Sequence, residues 1–481
     1  MKPLSRSALS RRTFLAASAA AGAALPFRGT LADGSNSFIL RAAPDRARLV
    51  PEPWGETDIW CYGGTVPGPE IRIQQGDRLC IEVENARDEE TTVHWHGMRV
   101  PNTMDGVPHL TQTPIAPGGR FTYEFDAVDA GTFWYHPHQR SFEQVGRGLY
   151  GALIVEEAEP PRVDRDLTWI LDDWRLTEEA EIAGDFGGFM DKSHAGRLGN
   201  TVTINGQVPE ALAVRSGERI RLRLINAANA RIFALDFGAL TPQVIALDGQ
   251  PVTPHAPSGR DRVLIGPAMR VDLILDMTGA PGERVTVSDR FYAGNNFHLV
   301  DLTYADEPLR DEPPAWSVLL PSNPLPEPDL TNALRHQVTF TGGMMGGMVE
   351  RQMGITGEGR MMGNDIMGMM LGEDIWFVNG IAAEGHILDP MLALERDRSH
   401  VIAMTNATAF HYPIHLHGHS FRVLSRNGQP TTHREWQDTV LMAPRERIEI
   451  AFVADNPGDW MYHCHILEHQ AGGMMGVIRV A

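Results

Sequence analysis

The chain has 481 residues, 42% of them hydrophobic, and a net charge of −19. That length corresponds to roughly three domains of about 150 residues with ordinary buried cores. The acidic balance argues against a nucleic-acid or anionic-lipid binding surface, and 21% charged residues in a varied composition argue against wholesale disorder.

Residues 1–32 carry Lys2, Arg6, Arg11, Arg12 and Arg28 and no acid. Ser10-Arg11-Arg12-Thr13-Phe14-Leu15, followed by the small apolar run Ala16 to Leu25, reads as a twin-arginine export signal. The run is too short to span a bilayer as a mature helix. The expected location is periplasmic or otherwise exported. In such an oxidising compartment Cys61 and Cys80, both on apparent strands, are candidates for a disulfide. Cys464 is left over.

Beyond the signal one phrase recurs three times. Gly63-Gly64-Thr65-Val66-Pro67-Gly68-Pro69, then Gly76-Asp77, leads into an alternating run ending at Asn85. Asn205-Gly206-Gln207-Val208-Pro209, then Gly217-Glu218, leads into alternation ending at Asn226, and a fainter copy runs from Asn379-Gly380 to Asn406. Each copy reads as strand, tight turn and strand. With 48 glycines and 33 prolines for turns, the chain is predicted to be all-β, as three related Greek-key β-sandwiches. They span about 36–157, 163–305 and 331–481, and the Pro-rich, acidic stretch 306–330 is a linker.

Eleven of the 19 histidines gather in four stretches. His94-Trp95-His96-Gly97 and His136-Pro137-His138 fall in the first unit. The middle unit has no His-x-His. In the third unit, residues 342–370 first place nine of the 21 methionines among glycines. So much glycine argues against a core helix and predicts a loop. Soft thioethers select Cu(I), so this segment is either an extra Cu(I) site or an apolar lid. His411-Tyr412-Pro413-Ile414-His415-Leu416-His417-Gly418-His419 follows, and then His463-Cys464-His465-Ile466-Leu467-Glu468-His469, with Met474 just beyond.

Strand parity gives these motifs a chemistry. Residues two apart face the same side, so each His-x-His pair aims two imidazoles at one place. His94, His96, His136, His138, His415, His417, His463 and His465 make eight imidazoles, enough for three coppers with room for O₂. Cys464 has the opposite parity and points away from them. With His469 and Met474 it supplies a thiolate, an imidazole and a thioether, the blue-copper donor types. Zinc rarely calls for eight imidazoles and a methionine.

These motifs resemble those of the three-domain multicopper oxidases, the family of laccases, bacterial cuprous oxidases and ferroxidases. The resemblance implies cupredoxin-like domains and four coppers per chain. It assigns His94 and His415 to a type 2 copper, and His96, His136, His138, His417, His463 and His465 to a type 3 pair. It implies electron transfer from Cu(I) or phenolic substrates to O₂, and likens the methionine segment to that of cuprous oxidases. It also marks Asp105 as an acid near the type 2 copper, with Glu468 a second candidate for proton supply. One position departs from the family pattern. Where the type 1 histidine is expected, this chain has Tyr412, and His411 sits one place early. Either a bulge lets His411 reach the type 1 copper, or Tyr412 supplies a phenolate, or the second imidazole is missing. The alternative function is a copper-binding or structural homologue with an impaired type 1 site.

Overall fold

The computed structural model describes residues 36–257, 262–294, 296–355, 375–383 and 389–481. The export signal at 1–32 and five of the nine clustered methionines (Met361, Met362, Met367, Met369 and Met370) lie outside the described residues.

Among the described residues six sheets fall in three pairs along the chain, and the three pairs share one wiring. Asn36–Ala47 pairs in parallel with Arg78–Asn85, which pairs antiparallel with Arg120–Asp126. Arg165–Trp174, Arg219–Asn226 and Arg270–Asp276 repeat that order, and Leu334–Gly342, Ser399–Asn406 and Arg447–Val453 repeat it again. The second sheets repeat as well. Ile71–Gln74 pairs in parallel with Gly151–Glu156, Ala211–Val214 with Phe297–Tyr304, and Leu392–Leu394 with Met475–Val480. The recurring phrase marks the same turn each time. Gly63 and Gly64 have φ of 66° and 83°, Asn205 and Gly206 of 52° and 74°, and Asn379 and Gly380 of 52° and 78°. Two successive positive φ values define the two-residue turn that matches strand twist, which explains the Gly and Asn at these sites.

Alternation buries one face of each sheet. Arg78–Asn85 shows it, with Leu79, Ile81 and Val83 buried in the first core beside Trp95 and Phe133. Each such side chain contributes about 1.5–3 kcal/mol of transfer free energy. Arg219–Asn226 departs from this expectation, because every residue in it is buried. Its polar face meets the first unit instead of solvent. Arg221 donates to Glu157 at 2.9 and 2.7 Å and to Asp272 at 2.7 Å, and Arg223 donates to Thr132 Oγ1 at 2.9 Å.

Two local expectations are corrected. Cys61 and Cys80 are free. They lie on Thr57–Tyr62 and Arg78–Asn85, which flank Asn36–Ala47 on opposite sides, and they align with Ala43 and Ser37 of that strand. A strand between them and a six-residue offset exceed any disulfide reach. The methionine segment includes a short helix, Gly346–Gln352, where a loop was expected. The stretch 306–330 has no regular element, and within it Asn323 donates to Ala130 O at 2.8 Å and to Gln250 Oε1 at 2.9 Å.

Candidate metal centre

Two short ledges of paired strands face each other. In the first unit His94–His96 pairs antiparallel with Gly131–His136, which sets His94 opposite His136. In the third unit Tyr412–Leu416 pairs with Gly458–Cys464, which sets His415 opposite His463 and Ile414 opposite Cys464. The eight imidazoles meet between the ledges. His94 lies 4.0 Å from His417 and His96 3.8 Å from His415, ring centre to ring centre, while His138–His463 and His136–His465 are both 5.1 Å apart. All eight are buried, none more than 5% exposed. Residues more than 300 positions apart thus share one site, as the parity of the four motifs predicts.

The ring nitrogens are arranged to bind metal. His94 Nδ1–H donates to Asp105 O at 2.8 Å, His415 to Asp438 O at 2.9 Å, His463 to Cys464 O at 2.9 Å and His136 to Pro137 O at 3.1 Å. A carbonyl only accepts, so the proton is on Nδ1 and Nε2 keeps its lone pair. Nε2 of His94, His138 and His415 is buried without a hydrogen-bond partner, as is Nδ1 of His96 and of His465. His417 Nε2 faces His463 Nε2 at 3.1 Å, and His136 Nε2 faces His465 Nε2 at 3.4 Å. Two nitrogens on one metal at ~2.0–2.1 Å in a tetrahedral array lie roughly 3.3 Å apart. Unpaired polar atoms of this number are costly in a protein interior unless they bind something. Burial, then the neighbouring imidazoles, holds His96, His138 and His417 far below the ordinary histidine range, so they stay neutral and able to ligate. The donor set fits a cluster of metal ions.

Acids orient this set. Asp105 is fully buried, and its Oδ2 lies 2.9 Å from His417 Nδ1 while its carbonyl holds His94. Behind His415, Arg270 of the middle unit donates to Asp438 Oδ1 at 2.8 Å, and Asp248 Oδ2 accepts from the Asp438 and Thr439 N–H groups at 3.3 and 3.1 Å. Burial and the nearby Asp438 push Asp248 up to about 7, while Arg270 holds Asp438 well below the usual carboxylate range. Sequence reading missed Arg270, Asp438 and Asp248. No local pattern marks them: Asp248 and Asp438 lie between strands, and Arg270 starts a strand whose two faces are both buried.

On the other face of the Gly458–Cys464 strand lies a second pocket. Cys464 Sγ is 3.8 Å from His469 Nδ1. His469 Nε2–H donates to His194 O at 2.6 Å, which frees Nδ1 toward the sulfur, and burial pushes its pKa down to about 3. Met474 is buried, and its carbonyl accepts from Cys464 N–H at 3.1 Å. Tyr412 is on this side. Its ring packs 5.6 Å from His469 and 5.7 Å from Trp376, and its hydroxyl donates to Thr408. His411 is on the opposite face, 5.3 Å from Phe291 of the middle unit. The Tyr412–Leu416 strand pairs with Thr439–Met442 without a register shift, so no bulge brings His411 round. The donors here are a thiol, one imidazole and a thioether, one imidazole short of the blue-copper set. Glu468 also differs from expectation. It accepts from Asn229 Nδ2 at 3.0 Å and from Arg197 N–H at 3.1 Å, both in the middle unit, so it anchors that unit instead of facing the histidines.

A cavity of about 170 Å³, lined by Val107, Leu110, Met461 and Met475, reaches His138. Gln470 borders it, with its amide 3.4 Å from His138 Nδ1.

Comparison with known proteins agrees with this geometry. Family models described as multicopper oxidase match residues 47–160, 165–303 and 367–481. The chain is similar to the multicopper oxidase MmcO of Mycobacterium tuberculosis, at 30% identity covering 97% of this chain and 95% of that one. Among solved structures it is similar to a multi-copper oxidase of Pseudomonas thermotolerans, with TM-score 0.80 and 33% identity over 92% of this chain and 99% of the other. It is also similar to a multicopper oxidase of Campylobacter jejuni described as a metallo-oxidase, with TM-score 0.77 and 26% identity over 95% and 94% of the two chains.

Proposed function

Since this chain belongs to the multicopper oxidase family, a copper-dependent oxidoreductase coupling substrate oxidation to reduction of O₂, we propose how its residues divide that work. Copper, when bound, supplies one-electron redox chemistry and the means of binding and reducing O₂. His94 and His415 hold the type 2 ion, and the other six clustered histidines hold the type 3 pair. Cys464, His469 and Met474 hold the type 1 ion. Cys464 is bonded through the backbone to His463 and His465, which supports a short covalent route between the two centres. Asp105 Oδ2, against His417, delivers protons toward the cluster. The cavity at His138 admits O₂. The three paired-sheet units, 36–157, 163–305 and 331–481, act as domains joined by the 306–330 segment. The middle one holds no copper and braces the seam. The twin-arginine motif supports export.

For the substrate, one observation favours Cu(I). Met190, Met345 and Met348 are 62%, 53% and 43% exposed. Met344 N–H donates to Ser193 O at 2.9 Å, beside the His194 carbonyl that holds His469, so this thioether surface adjoins the Cys464 pocket. Exposed methionines are uncommon, and thioethers select Cu(I). Replacing Met345 and Met348 by Leu keeps the apolar volume and removes the sulfur. Oxidation of Cu(I), followed as O₂ uptake, is expected to fall at least tenfold while oxidation of a dimethoxyphenol holds. Equal loss on both substrates, or loss on neither, would favour the second reading, an oxidase of phenols.

A further inference from the structure

A second group of metal-type side chains lies apart from the histidine cluster. His255 ends the strand Gln250–His255, at the edge of the six-stranded sheet of the middle unit. His433 and Glu435 come from the third unit, just before Trp436–Gln437, which pairs with Phe421–Arg426. One nitrogen from each histidine and a Glu435 carboxylate oxygen all lie within 4.8 Å of one another. The two rings stack at 4.4 Å with planes 9° apart.

The hydrogen bonding of His255 is that of a ligand. Its Nδ1–H donates to the Ala256 carbonyl at 2.8 Å, which leaves the lone pair on Nε2. That Nε2 is buried and has no partner. A histidine whose outer N–H is held by a carbonyl while the other nitrogen waits unpaired has the arrangement of metal-binding histidines. His433 is exposed, so a cation reaches the group from solvent and this ring is free to turn toward it. Glu435 brings the negative charge.

We propose that His255, His433 and Glu435 form a site for a borderline divalent cation, Zn²⁺ or Cu²⁺, that bridges the middle and third units. Two imidazoles and a carboxylate suit these ions, and the absence of sulfur among the three ligands separates the site from the Cu(I)-selecting methionines. The bridge has a structural consequence. The same two stretches of chain carry the contact of Asp248 with Asp438 and Thr439, which backs His415. A cation at the bridge therefore braces the seam that supports the cluster.

The test uses the full chain after copper loading and removal of free metal. Zn²⁺ is titrated in by calorimetry, and bound metal is counted by mass spectrometry. One extra Zn²⁺ per chain, with a rise in melting temperature, is expected for the wild type, and Cu²⁺ should compete for that position. Neither the extra ion nor the rise is expected in His433→Ala or in His255→Gln, while their resident copper content matches the wild type. Extra-metal binding that survives in both variants, or none in the wild type, overturns the proposal. Loss of resident copper is a separate reading of the same count and would bear on the oxidase assignment instead.

Discussion

Asp105 and His417 join the two halves of the cluster: the Asp105 carboxylate from the first unit lies 2.9 Å from His417 Nδ1 of the third, and the Asp105 carbonyl holds His94 at 2.8 Å. Orientation and proton supply therefore separate in two substitutions. Asp105→Asn keeps an acceptor for His417 but cannot carry a proton. It is expected to retain its copper and lose turnover by about 10²-fold. Asp105→Ala should also lose about 10–100-fold in copper affinity at the cluster. Copper content and O₂ uptake measured side by side decide it, and undiminished turnover in Asp105→Asn would leave Asp105 a positioning role only.

Tyr412 makes the Cys464 pocket unusual. Its hydroxyl is engaged by Thr408, so the pocket offers a thiol, one imidazole and a thioether. The copper-loaded wild type is expected to lack a strong blue absorption band in air, because that band belongs to a two-histidine thiolate site. Tyr412→His should install it, bleaching with a mild reductant and returning with O₂. A strong blue band in the unaltered protein would refute this reading of the pocket.

Arg270 crosses from the middle unit to Asp438 behind His415. Arg270→Met leaves Asp438 buried without its partner, a loss of about 3–5 kcal/mol. Arg270→Lys keeps the charge but not the fork, and should fall between. Denaturant unfolding of the copper-free protein reads both. Equal stability of all three would show that the pair adds nothing net.

The copper-free protein should be acid-sensitive in a defined window. Burial depresses the folded-state values of His96, His136, His138, His415, His417, His463, His465 and His469, the last to about 3. The unfolded chain takes up protons below about 6.5, where the folded chain does not. Stability is therefore full above that pH and falls as pH drops toward 3, by up to about 1.4 kcal/mol per pH unit for each such histidine. Melting temperatures from pH 8 to 4 are expected to decline steeply below 6.5, and copper should delay the fall because it competes with protons for the same nitrogens. A flat profile would mean that the histidines are protonated in the folded state.

Much of this protein is local and therefore legible in its sequence. A strand's period of two assigns faces without knowledge of partners, so four His-x-His pairs and the inverted parity of Cys464 already imply two centres on opposite sides of one strand. The turn phrase is equally local: two successive positive φ values demand Gly or Asn wherever the chain lies, so Asn205-Gly206 and Asn379-Gly380 announce repeated units. Parity likewise puts Tyr412, and not His411, on the Cys464 side, leaving only the chance of a bulge open.

What tertiary structure alone decided is set by partners far away in the chain. Cys61 and Cys80 share a sheet, but only strand order places a third strand between them. Glu468 sits among ligands in sequence, yet Asn229, 239 residues away, turns it toward the middle unit. Arg270 and Asp438 are 168 residues apart, and Asp438 lies between two strands, so no alternation marks the pair. The sequence pattern says which side of a strand a residue occupies. Only the packing of one unit on another says whether that side meets water, a carboxylate or a metal, because burial and charge pairing depend on the neighbour and not on the period.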